Sequence, residues 1–184
     1  MGKVYDGIDD RLAEFLGRQH VFFVGTAPSD PDGHLNVSPK GLDTFRILRP
    51  NTVAYLDLTG SGIETVAHLR QNGRITLMFC AFEGRPLIVR LYGRGRVVEP
   101  GDGDWDGLIA RFPDYPGVRS VVVVSVERVA DSCGFAVPLY EHRGERSQLV
   151  DYAVRKGPAG LEQYKAQKNR ASIDGLEGLR GVRG

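Results

Sequence analysis

Charge of one sign is the first thing this chain lacks. Its 24 lysines and arginines stand against 23 aspartates and glutamates, a formal net charge of +1. Nucleic-acid binders held by phosphate contacts need clustered excess cation, so the balance argues against that class and against an electrostatic membrane anchor. Cysteine is scarce as well. Cys80 and Cys133 form no CxxC pair, and Cys80 lies inside the apolar run TLMFCAF, where a buried thiol is expected. The four histidines, His20, His34, His68 and His142, are scattered without metal-ligand spacing, so no metal site is expected. Long hydrophobic runs are also missing. No stretch of about 18 apolar residues occurs, and the N-terminus carries no basic region followed by an apolar one. These absences lead to the expectation of a soluble, cytoplasmic protein with neither membrane nor nucleic acid as partner.

Glycine, by contrast, is plentiful: 24 of 184 residues, with ten prolines, punctuate short apolar runs, which implies many turns between strands. A chain of this length makes one domain, with or without a tail, and buries roughly two-thirds of its unfolded surface. Ile8, Leu12, Phe15 and Leu16 fall at i, i+4, i+7 and i+8, one stripe of an amphipathic helix, with Asp9 and Asp10 suited to its start. HVFFVGTA and HLNVS read as two strands of a hairpin around PSDPDG. LDTFRILRPN is a connection or short edge strand, and TVAYLDL a further strand rich in β-formers. RITLMFCAF, LIVRLYGRGRVVE and the valine run RSVVVVSVERV supply the remaining long strands. Short helices are expected over 105–111, 147–156 and 158–169, with Gly157 stopping one and Pro158 opening the next. The glycine-rich end, SIDGLEGLRGVRG, reads as a loosely held tail. Six or seven strands with few, peripheral helices indicate a mainly β (α+β) barrel.

Two short stretches carry the chemistry. TGSG leads straight from a strand into a helix, with Ser61 and Glu64 spaced as a capping box and Asn72–Gly73 as a stop. Glycines let backbone approach a ligand, and a helix start exposes unpaired N–H groups, a combination that binds phosphate. Thr59, Ser61 and Thr65 add hydroxyls; alone, the same letters also spell an ordinary strand-to-helix turn. No Gly-Lys-Ser/Thr follows, so this is no Walker loop, and the third glycine of a dinucleotide fingerprint is absent. The second stretch is HLNVSPKG, which places Lys40 at a strand end behind a stiffening proline. It is either a solvated turn lysine or a point charge for an anion. If HLNVS and TVAYLDL are antiparallel neighbours, Lys40 and the TGSG loop converge on one phosphate.

The order NVSPKG, NTVAYLDLTGSGIETVAHLRQNGRITLMF and LYGRGRVVE resembles the pyridoxamine 5′-phosphate oxidase-like superfamily over about residues 8 to 130. Within it the chain is similar to the "related protein" branch, in which a Ser-Cys-Gly segment, here residues 132–134, follows the barrel. The resemblance implies a six-stranded Greek-key split β-barrel with peripheral helices. It also implies a homodimer with one FMN at each of two sites between subunits. Residues 1–130 would form the flavin-binding barrel, and residues 131–184 a loop and helical extension packed on it.

By the family pattern Val37, Ser38 and Lys40 flank the flavin and its phosphate. Tyr55, Leu56 and Asp57 run beside the ring or ribityl chain, while Thr59, Gly60, Ser61, Gly62 and Thr65 hold the phosphate. Many members carry a cation where this chain has Glu64; Arg94 or Arg96 would compensate, or simply form a solvated strand face. The implied activity is an FMN-dependent oxidoreductase acting on a small molecule, with no catalytic side chain named, because flavin carries the hydride chemistry. The alternatives are a flavin-storing or redox-sensing module without turnover, or the same barrel holding a deazaflavin or haem.

Overall fold

A computed structural model describes residues 2–182 and contains eight strands and four helices. In chain order these are β1 (Val4–Tyr5), α1 (Asp10–Gly17), β2 (Phe22–Thr26), β3 (Asn36–Lys40), β4 (Phe45–Arg49), β5 (Thr52–Leu58) and α2 (Glu64–Asn72). Then follow β6 (Arg74–Cys80), β7 (Ile88–Val98), α3 (Trp105–Ile109), β8 (Val118–Ser132) and α4 (Gln148–Lys168).

All eight strands join one antiparallel sheet, ordered β3-β2-β6-β7-β8-β5-β4, with β1 on the far end of β8. The count exceeds the six expected for two reasons. Two N-terminal residues add a strip to β8, and the segment read as a connection or edge strand takes its edge-strand form as β4.

The sheet rolls up. In the strand order β2 and β4 stand five steps apart, about 24 Å if the sheet were flat. Yet the Phe22 and Phe45 ring centroids are only 5.5 Å apart, with Phe79 of β6 and Tyr55 of β5 packed on them. That aromatic cluster closes the barrel, and α1 plugs one end with Leu12, Phe15 and Leu16, the stripe read from the sequence. The Asp9 carboxylate caps this helix by accepting from Leu12 N–H at 2.8 Å. Rolling lets the ends of β3 and β5 meet without the antiparallel pairing expected as the condition of that meeting: β3 pairs only with β2, and β5 lies between β8 and β4.

α4 is two helices joined at Gly157, whose φ of 63° and ψ of 173° break the helical path just before Pro158, as the sequence requires. The tail is not loose. Leu179 is buried against Ile63 and Val66, Arg180 bonds Glu99 and Asp102, and residues 169–179 fold back through Leu179 N–H to Asn169 O at 2.9 Å. Its glycines make turns rather than slack, and one apolar residue among them finds a groove on α2. The expected boundary at residue 130 falls inside β8, and residues 1, 183 and 184 lie outside the described part. No helix among the described residues is long and apolar enough to cross a membrane.

Candidate functional site

Where the rolled sheet meets itself, Lys40 at the end of β3 reaches Asp57 near the end of β5. Its ammonium donates to Asp57 Oδ1 at 3.1 Å. Arg119, one residue into β8, donates from Nε to Asp57 Oδ2 at 2.7 Å and from Nη2 to Oδ1 at 3.3 Å. The Ser120 hydroxyl adds a bond to Oδ2 at 3.3 Å. Asp57 is 1% exposed. Burial alone would raise its pKa, but Arg119 first and Lys40 second reverse that, and the carboxyl stays well below the usual range. One buried anion between two cations leaves the group with an excess positive charge. Lys40 spends one of its three N–H donors on Asp57 and is partly exposed, so the others face solvent.

The TGSG loop lies beside this ion triad. Thr59 N–H and hydroxyl both donate to Gly117 O, at 2.8 and 2.7 Å, so this hydroxyl proton is already committed. Beyond it, the backbone N–H groups of Gly60, Ser61, Gly62, Glu64 and Thr65 have no acceptor among the described residues. The expected capping box does not form. Ile63, buried under the tail, takes the cap position, Ser61 is exposed, and Glu64 instead accepts weakly from Ile173 N–H at 3.4 Å. The loop therefore keeps its donors unused. From the other wall, Asn36 donates to Thr65 Oγ1 at 2.9 Å and accepts from the Ser38 hydroxyl at 3.1 Å. Behind Asn36, Thr26 meets the fully buried His68 at 3.0 Å, and burial lowers this imidazole's pKa.

These groups surround a cleft of about 870 Å³. Ser38, Lys40, Leu56, Thr59, Gly60, Gly62 and Thr65 line it, as does Arg119. Other expected residues lie elsewhere. Val37 is exposed and outside the lining, because successive strand residues point to opposite faces. Tyr55 is fully buried in the aromatic cluster; burial, and then Asp57, raises its phenol pKa, and it does not line the cleft. Asp57 sits beneath the floor, and Ser61 is turned to solvent. Arg94 is on the solvated face of β7, donating to Asn72 O at 2.8 Å and paired with Glu127, while Arg96 pairs with Asp104. Neither arginine compensates Glu64, which lines the cleft and opposes an anion there. The cation that lines the cleft beside Lys40 is Arg119, which the sequence reading did not single out. Its signal was an arginine heading a continuous valine run, where a charge buried on a strand needs a partner.

The fold also supplies an outer wall that the strand pattern did not reveal, including His142, Glu145 and Arg146. His142 stacks on His20 with centroids 3.6 Å apart, and Glu145 Oε2 accepts from Leu42 N–H at 3.3 Å. Ligand atoms of His20, His142 and Glu145 lie within 4.8 Å of one another, a grouping invisible in the scattered histidines. Beyond the histidine pair is a larger hollow of about 1430 Å³ lined by Phe82, Cys133 and Tyr140 among others. None of its charged lining residues is buried, whereas the smaller cleft is lined by the buried Arg119.

The class of protein is thus a mainly antiparallel, rolled sheet with a few helices and a cation-edged cleft at its seam. The chain belongs to the pyridoxamine 5′-phosphate oxidase family, whose profile matches residues 8–133. It is 39% identical, over 194 aligned residues, to the pyridoxamine 5′-phosphate oxidase family protein ustO of Aspergillus flavus, covering 95% of this chain and 77% of that one. Among solved structures it is similar to a putative pyridoxamine 5′-phosphate oxidase from Lactobacillus delbrueckii, with TM-score 0.53 and 21% identity over 69% of this chain and 98% of that one. HupZ of Group A Streptococcus matches with TM-score 0.51 and 23% identity over 66% and 91%. At such identities these two likenesses establish the fold alone.

Proposed function

We propose that the chain is an FMN-dependent oxidoreductase acting on a small molecule, with the flavin phosphate seated between Lys40, Arg119 and the 59–65 loop. One observation carries this reading: a buried ion triad with excess positive charge borders a loop whose N–H donors are unspent. That donor set is what a phosphate dianion requires, and the cleft volume falls in the range of cofactor pockets. Bound there, flavin supplies hydride transfer. The chain's own residues bind and orient: Lys40 and the loop amides hold the anion, Asn36 fixes Ser38 and Thr65 on facing walls, and Leu56 and Leu58 keep part of the cleft dry. Consistent with the family, the working unit is a cytoplasmic homodimer with the cofactor at the subunit interface, and light scattering at twice the 20.2 kDa chain mass is the expected result.

The purified protein should be yellow, and a nicotinamide donor should bleach it. Colour without bleaching would indicate a flavin store, and a haem band would remove the flavin reading. Haem would need an axial histidine, and the exposed loops offer His34, whose Nδ1 is bound to Asp174 at 2.6 Å, and His142, which is stacked on His20. Lys40→Ala should weaken FMN binding by about 1–3 kcal/mol, the scale of a charge-assisted bond. Fluorescence titration of the flavin checks this, and unchanged affinity would take Lys40 out of the phosphate site.

A further inference from the structure

Asn169 follows the last helix, outside the 8–133 region matched by the family, and is fully buried. Its side chain touches the cleft machinery twice. Nδ2 donates to Gly60 O at 2.9 Å, and Oδ1 accepts from Arg119 Nη1 at 3.0 Å. The partners fix which end of the amide is which, because a guanidinium only donates and a carbonyl only accepts. Arg119 Nη1 also donates to Gly60 O, at 3.2 Å, so two donors hold that carbonyl on the buried side.

A trans peptide is planar, with C=O and N–H on opposite sides. Turning the Gly60 carbonyl inward therefore turns the Ser61 N–H outward, on the side where Gly60 lines the cleft. Without the two donors the Gly60–Ser61 peptide is free to rotate, since Gly60 has no Cβ to restrict its backbone torsions. A rotated peptide would aim its carbonyl at the anion in place of a donor. The tail keeps Asn169 where it is. Leu179 N–H bonds Asn169 O, and Gly178 packs so closely that a Cβ there would come 2.2 Å from the same oxygen.

We infer that Asn169 is a positioning residue for the anion site, acting through the Gly60–Ser61 peptide; the inference rests on the phosphate reading above. The test compares FMN with riboflavin, which has the same ring system and no phosphate. Asn169→Ala should weaken FMN binding about tenfold and leave riboflavin binding unchanged. Asn169→Leu is close in size, adds no charge beside Arg119 and loses the donor to Gly60 O, and should show the same selective loss. It provides the result should the alanine variant not fold. Equal weakening of both flavins, or no change in either, would overturn the inference and leave the phosphate reading standing. A wild-type chain that binds FMN no more tightly than riboflavin would remove both.

Discussion

Asp57→Ala should destabilise the fold by about 3–5 kcal/mol, measured by chemical denaturation at neutral pH, because it strands a buried arginine without a counter-charge. Arg119 keeps only its bonds to Gly60 O and Asn169 Oδ1, and Lys40 loses its anchor across the seam. The effect should be strongly non-additive. Asp57→Asn combined with Arg119→Met removes the charges together and should recover much of the stability, as apolar replacements of buried ion pairs often do. Recovery without FMN binding would separate the triad's structural role from its cationic one. Acid should act in the same direction as the substitution. Because the folded carboxyl titrates below the ordinary value, its contribution is fully present above about pH 4 and is lost as pH falls below that. Wild-type stability should therefore decline on acidification more steeply than that of Asp57→Ala. Parallel pH profiles would show that the triad contributes little.

Phe79→Ala is expected to cost a similar amount, about 3–5 kcal/mol, for a different reason. Phe79 is buried at the centre of the cluster, stacked on Phe22 at 5.3 Å and edge-on to Phe45 at 4.9 Å. It bridges strands from the two ends of the sheet, so its loss opens a cavity at the place where rolling is enforced. The same substitution should loosen the Lys40–Asp57 contact, because that contact exists only while the edges are held together. Reduced stability with FMN affinity intact in the folded fraction would show that the seam does not depend on this cluster.

Much of the fold could be read locally. The stripe of α1, the β2–β3 hairpin, the strand-loop-helix unit around TGSG and the break at Gly157–Pro158 depend on periods and turn residues a few positions apart. The site was only half legible. Lys40 and the loop were found because their letters are unusual where they stand, but their meeting depends on curvature accumulated over seven strands in register. Arg119 was masked by the valines after it, whose apolar run hid a charge paired 62 residues away. Ser61 and Glu64 had the spacing of a capping box, yet burial of Ile63 outweighed a hydrogen bond available equally from water. The tail's glycines suggested slack, and only the groove on α2 explains why Leu179 ends it.

Asn169 meets Gly60 across 109 positions of sequence. During synthesis every barrel strand leaves the ribosome before this asparagine does, so the shell can close while the loop beside it is still unlatched. On the phosphate reading, the anion site would reach its full strength only after that asparagine has emerged and docked.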